Sequence, residues 1–160
     1  MDKPPRWLRI AVALALLAIW AAAFFLPFGE SYDIDIPSTR QTISGVNATL
    51  GSVFFGNIYE RFAWLGNVLL PLGLCLALVK TPPRWTFLAL AVALAAIAAG
   101  AFGWRDYGMA WSIDDIVEVG GGGYRLWVAA MFGGAIWLAI VGALRRTRLR
   151  TETDPAGNRL

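Results

Sequence analysis

The chain has no histidine and a single cysteine, Cys75. Without histidine, bis-histidine haem, histidine-ligated copper, catalytic zinc and histidine-based triads are removed together. One cysteine closes no intramolecular disulfide, which excludes a membrane thiol oxidoreductase built on a cysteine pair. In the middle of an apolar run, Cys75 reads as a buried small packer. Charge is scarce as well. Only 16% of the 160 residues are charged while 58% are apolar, and a mean hydropathy of +0.56 is too high for a soluble domain of this length.

What the sequence has instead is four long apolar runs: residues 8–28, interrupted only by Arg9 near its start, 62–79, 85–104 and 126–144. Each has the roughly 17–25 residues that a helix needs to cross about 30 Å of hydrocarbon. The spans are helical because a crossing segment must satisfy its own backbone hydrogen bonds, and a barrel is excluded because barrel strands alternate where these runs are continuously apolar. The expected fold is therefore an all-α integral membrane protein, a single four-helix bundle over residues 1–160. Residues 29–61 and 105–123 form two outer loops, 80–84 an inner link and 145–160 a cytoplasmic tail. A rival reading of residues 8–28 as a cleavable signal peptide rests on the basic start and the small residues Ala21, Ala22 and Ala23, and it leaves both outer loops where they are.

Basic residues set the expected orientation. Lys3, Arg6, Arg9, Lys80, Arg84, Arg145, Arg146, Arg148, Arg150 and Arg159 fall on one side, against Arg40, Arg61, Arg105 and Arg125 on the other. Positive residues stay cytoplasmic, so both termini are expected inside a cell inner membrane. Glu30, Asp33, Asp35, Glu60, Asp106, Asp114, Asp115 and Glu118 gather on the outer side. The net charge of +3 averages two unlike faces and does not point to nucleic acid; the "RRTRLR" tail reads as a topological anchor on anionic lipid.

In the first outer loop, Tyr32, Ile34 and Ile36 alternate with Asp33 and Asp35 up to Pro37, which predicts a short strand. Ile43, Val46, Leu50, Phe54 and Ile58 then recur at three- and four-residue steps, the period of an interfacial amphipathic helix. A weak alternation in "WSIDDIVEVG" predicts a second strand, and the two together a small outer cap. The inner link "KTPPR" allows only a tight turn, so spans two and three form a helical hairpin. Small residues four apart, among them Ala91 with Ala95, Ala95 with Ala99, Ala129 with Gly133 and Ala130 with Gly134, predict close helix packing with spans three and four near the centre. Trp7, Trp64, Trp85, Trp104, Trp111 and Trp127 fall near the predicted interfaces.

The run "VGGGGYRLW" at residues 119–127 fits neither a dinucleotide fingerprint, whose sixth position would be Arg125 or Leu126, nor a Walker loop, since no lysine follows Lys80. It reads as a flexible link into span four, with Tyr124 and Trp127 at the headgroups. "NAT" at Asn47 matches a glycosylation sequon. No charge lies in the centre of any span, and only Asn67, one turn before Pro71, interrupts span two. Proline frees a backbone carbonyl there, and the amide can cap it or bond to another helix, so Asn67 and Pro71 form the candidate intramembrane polar contact. Asp33, Asp35, Asp114, Asp115 and Tyr124 are the candidate outer-face contacts. Paired carboxylates suit acid–base work or a hard cation, but in exposed loops they form a solvated face. No catalytic residue, cofactor or metal is expected.

In "FAWLGNVLLPLGL" (residues 62–74) and "GGYRLWVAAM" (residues 122–131) the chain resembles a group of small four-span bacterial inner-membrane proteins. These start span two with aromatics, an Ala-Trp pair and an Asn, and span four with Gly-Tyr-x-Leu-Trp. The resemblance covers most of the chain and implies no activity. Claudin-type proteins also join four spans with strand-like outer loops, but their paired loop cysteines are absent. The function expected is non-catalytic: an accessory, assembly or scaffold protein acting by contact with membrane lipid, a partner protein, or its own copies through the small-residue faces. The rival is a minimal transporter or homo-oligomeric channel, with Asn67 and the glycines of span four lining a wet path. A lipid-acting enzyme would need the outer carboxylates at a membrane-level cleft.

Overall fold

The structure, a computed structural model, describes residues 4–33, 38, 40–54, 58–79, 82–107, 109–110 and 115–152; the side chains at 33, 51–54, 58–62, 102–107, 109–110, 115–117 and 145–152 lie outside the description. In chain order the elements are α1 (Arg6–Phe25), β1 (Pro27–Asp33), β2 (Gln41–Ser44), α2 (Gly45–Phe54), α3 (Ile58–Leu78), α4 (Arg84–Tyr107), β3 (Met109–Ala110), β4 (Asp115–Val119) and α5 (Gly122–Glu152). Three helical segments are long and apolar enough to cross a membrane, Arg6–Phe25, Arg84–Ala101 and Gly122–Leu144, and α3 adds the shorter apolar stretch Ala63–Leu78. The chain is mostly helical and built as a membrane protein.

Helix ends follow the proline pattern. Pro5 precedes α1, and Pro27, which cannot continue a helix and disfavours helical backbone at Leu26, stops it. Pro82 and Pro83 precede α4, where the Thr86 amide donates to Pro83 O at 3.2 Å. At the start of α2, Ser44 is the N-cap: its Oγ accepts from the Asn47 amide at 3.3 Å. Helix α5 runs without a break through Arg150, and its 31 residues make it about 46 Å long at the usual rise, well beyond a bilayer's hydrocarbon.

The cap is larger than two strands. Four strands form one antiparallel sheet in the order β2-β1-β4-β3. It ties together the C-terminal ends of α1 and α4 and the N-terminal ends of α5 and, through α2, of α3. The first strand begins at Pro27, not Tyr32, because the apolar residues Leu26, Pro27 and Phe28 prolong the hydropathy of the first span although Pro27 has already ended the helix. Ile34, Asp35, Ile36 and Pro37 lie outside the described residues. The register of β1 on β4 runs from Gly29 opposite Val119 to Asp33 opposite Asp115.

Packing makes α5 the hub, in contact with α1, α3, α4 and β1, and its longest interface is with α4. Phe87, Leu70, Leu74, Leu94, Met131 and Leu138 are fully buried between the helices. Since lipid is as apolar as these side chains, helix adhesion comes from contact, and small residues let the backbones close up. Gly133 faces Leu16 of α1, Gly134 faces Leu70 of α3, and Gly142 faces Phe87 of α4. On α4 the buried small residues are Ala91, Ala98 and Ala101, whereas Ala89 and Ala99 point outward. Cys75 is exposed on the outside of α3, not buried as its place in an apolar run suggested.

The glycine run is a tight backbone crossing, not a loose link. The Gly120 and Gly121 amides both donate to Phe28 O, at 3.2 and 3.0 Å. Gly120 has φ +154°, a backbone region open essentially to glycine alone. A Cβ on Gly121 would collide with Pro27 O, and one on Gly123 would lie 2.7 Å from Ala23 O and 2.8 Å from Leu26 O. The next residue, Gly122, meets nothing within 4 Å. Gly123→Ala is therefore expected to lower stability by roughly 1–3 kcal/mol, the scale of overpacking against atoms that cannot move aside, and Gly122→Ala to leave it unchanged. Melting both variants in one detergent checks the contrast, and equal losses would refute the crossing.

Candidate functional site

Asn67, the lone polar residue of its span, sits where three helices meet. Its Oδ1 accepts from the indole Nε1 of Trp127 in α5 at 2.7 Å and from that of Trp20 in α1 at 3.1 Å. An indole N–H only donates, so the atom receiving both must be the amide oxygen, which fixes the side-chain orientation. Pro71 lies one turn further along α3, and because it lacks an N–H the Asn67 backbone carbonyl has no intrahelical partner. Gly66 brings this turn of α3 close to α5: a Cβ there would stand 3.1 Å from Met131 Sδ and 3.5 Å from the Trp127 ring.

Beside the clamp is a half-open cavity of about 20 Å³ lined by Phe28, Ala48, Thr49, Ala63, Trp64, Asn67 and Trp127. That is room for about one water or one small polar group. The lining draws on β1, α2, α3 and α5, so the cavity lies toward the sheet end of the bundle. Among the described residues no acceptor meets Asn67 Nδ2 and no partner meets Trp64 Nε1.

Tyr124 and Trp127 differ from their expected place at the outer face. Tyr124 is 3% and Trp127 5% exposed. The Tyr124 hydroxyl donates to the Ala101 carbonyl of α4, and its ring meets Phe28 edge-on at 5.5 Å. Both residues start α5 on its buried side, and position near a span end does not tell which way a ring points. Asp33 and Asp115 are brought to facing positions across β1 and β4, while Asp35 and Asp114 lie outside the described residues. The small-residue pairs did not reveal Trp20 as a partner. The usable clue was a tryptophan deep inside a span, whose N–H needs an acceptor. Trp137 shares that placement, and among the described residues its Nε1 and Arg9 Nε are buried without a partner.

A second polar group lies on the exposed side of the sheet. Glu30 and Glu118 are direct cross-strand partners, an arrangement of like charges that is unfavourable alone. Arg40 bridges them, 3.1 Å from Glu30 and 3.7 Å from Glu118, and its guanidinium stacks 4.9 Å above the Tyr32 ring. The Tyr32 hydroxyl donates to Glu118 Oε1 at 2.9 Å. Among the described residues there is no cluster of His, Cys, Asp or Glu able to hold a metal. Comparison with known protein families, with characterised proteins and with solved structures finds no match, and the site stands on its geometry.

Two predictions follow from the polar contacts. Asn67→Leu removes the one acceptor of two indoles, and at the roughly 0.6–1.7 kcal/mol measured for interhelical hydrogen bonds in membranes it should destabilise the bundle by about 1–3 kcal/mol. Trp20→Phe should cost about half as much, and a double-mutant cycle in detergent reads the coupling. The hydrogen bond to Glu118 holds the Tyr32 phenol above its ordinary value of 10.0. A raised folded-state value means stability present below pH 10.0 and lost as pH climbs through the raised value. Ultraviolet titration of tyrosinate should show a late step that Tyr32→Phe deletes and Glu118→Gln moves back down.

Proposed function

We propose that the chain is a four-span inner-membrane protein, both termini cytoplasmic, that works by contact with a partner protein or lipid and catalyses no reaction. Its packed interior carries this reading. Leu70, Leu74, Leu94, Met131, Leu138 and Phe87 fill the space between the helices with no exposed surface, and the amide oxygen of Asn67 is taken up by indoles of two other helices. A transporter needs polar groups along a path, and here the cavity beside Asn67 holds about 20 Å³.

Support for four crossings and for the orientation comes from the apolar stretch of α3 beside the three longer helices, from the sheet that gathers alternate helix ends, and from the basic residues at the opposite end. The resemblance to small four-span bacterial proteins favours the inner membrane. The contact face supported best is the sheet's exposed polar side, around Tyr32, Arg40 and Thr42, the residue opposite Glu30.

The test is photo-crosslinking in native membranes from an unnatural amino acid at Thr42, exposed on that face, with mild-detergent purification of the intact chain. A stoichiometric companion protein at that position is the expected result. A lone species that conducts ions after reconstitution, or a homo-oligomer around a continuous pore, would replace this reading with the channel.

A further inference from the structure

Arg9 stands where a residue that only sets topology has no need to be. Helical period puts it on the inner row of α1 with Ala13, Leu16 and Trp20. That row packs on the other helices: Ala13 is 2% exposed, Leu16 meets Gly133 of α5 and Trp20 bonds Asn67 of α3. Arg9 is accordingly half-buried, whereas Arg6, one turn earlier, is exposed. Among the described residues no hydrogen bond or ion pair reaches either guanidinium. Of the three nitrogens of Arg9 only Nε is buried without a partner, which leaves its two Nη groups as the open end.

Both cations lack an anion. No Asp or Glu occurs in residues 3–29, 61–105 or 119–151, which contain all four apolar helical stretches. On the side away from the sheet, the acids nearest in sequence are Asp2, outside the described residues, and Glu152, which ends α5 about 12 Å beyond Leu144. An arginine stays charged, and withdrawing it from water without a counter-charge is costly. Two arginines three residues apart on one helix also repel each other. One anion held between them offsets both penalties.

The setting identifies that anion. From Arg9 to Phe25 the helix rises about 24 Å, so with Phe25 at one edge of a hydrocarbon layer about 30 Å thick, Arg9 lies near the other. Helical side chains lean toward the helix N-terminus, here toward the near membrane surface. Trp7 and Trp85, each 69% exposed, mark the same end as headgroup level. The anion at that level is the phosphate of a phospholipid, whose oxygens match the guanidinium fork. A headgroup with its own ammonium would bring a third cation to the pair, so a net-anionic lipid fits better than a zwitterionic one.

We infer that Arg9, with Arg6 beside it, binds the headgroup phosphate of one net-anionic phospholipid. The Nη groups of Arg9 donate to phosphate oxygens, and Arg6 adds the second charge. This names a ligand for the lipid half of the contact reading and rests on its membrane setting, but not on any protein partner: the crosslink at Thr42 can fail while the lipid stays, and the lipid can be lost while the crosslink forms.

The full chain is purified in dodecyl maltoside, mixed with equal amounts of phosphatidylglycerol and phosphatidylethanolamine, and examined by native mass spectrometry. One phosphatidylglycerol per chain should outlast washing, in preference to phosphatidylethanolamine. Arg9→Gln should lower its occupancy about ten-fold, the scale of one charge-assisted pair, in a chain that still melts cooperatively. If Arg9→Gln does not fold, the exposed Arg6→Gln takes its place, with a several-fold loss expected. Arg148→Gln combined with Arg150→Gln, in the tail, should leave occupancy unchanged. Four results overturn the site: equal retention of the two lipids; a folded Arg9→Gln chain that binds as wild type does, as it would if Asp2 were the partner of Arg9; loss caused by the tail variant instead; or release of the lipid by an equal concentration of inorganic phosphate.

Discussion

A polar side chain between helices in a bilayer has no solvent to fall back on, and the amide oxygen of Asn67 meets this constraint with one N–H from each of two other helices. Each bond is weak beside the contact made by Leu70, Leu94 or Met131, because hydrogen bonds between membrane helices average well under about 1 kcal/mol. Their value is directional. Apolar packing tolerates a helix rotated by a few tens of degrees if other side chains can fill the gap, whereas a 2.7 Å hydrogen bond from Trp127 does not. One residue thereby fixes the rotation of α1 and α5 about α3.

The second fixed feature lies at the same end. Where α1 passes into β1 and β4 passes into α5, backbone touches backbone: Gly121 and Gly123 rest on the carbonyls of Pro27, Ala23 and Leu26, Gly45 on that of Ala23, and Gly29 on that of Glu118. The sheet then joins strands from both helix pairs. At the far end of the bundle the described residues offer no comparable device. Apolar packing continues there, and among the described residues Arg9 Nε and Trp137 Nε1 are buried without partners. Order imposed by directional bonds is concentrated at the sheet end, so local opening should begin at the other.

Much of this was legible in the sequence, but unevenly. The helices were, because a long apolar run is a property of the chain itself. Asn67 also stood out, since a single amide in an apolar span is conspicuous whatever surrounds it. Its partners did not, because helical period tells which residues share a face and never which helix lies opposite. Tyr124 and Trp127 occupy span-end positions that suit an aromatic belt equally well, and only the seat of α5 beside Phe28 and Asn67 turned them inward. The glycine run shows the same limit: its composition is identical for a free hinge and a tight crossing, and only the tertiary approach of Pro27 and Leu26 separates them. The first strand was shifted because Leu26 and Phe28 belong to an apolar run by composition and to a sheet by the action of Pro27.

These features bear on where such a molecule can act. Inside the bundle, large side chains are fully buried and the clamp's oxygen is saturated, so a solute entering there would have to break contacts that hold the helices in place. Polar side chains open to contact lie on the margins: the exposed sheet face, where Arg40 stacks on Tyr32 and bridges Glu30 and Glu118, and the small cavity lined in part by Thr49, Trp64 and Asn67. Both places adjoin the sheet end, where directional bonds and close backbone contacts are concentrated, so a group bound at either would meet a surface already ordered, which lowers the ordering entropy of association.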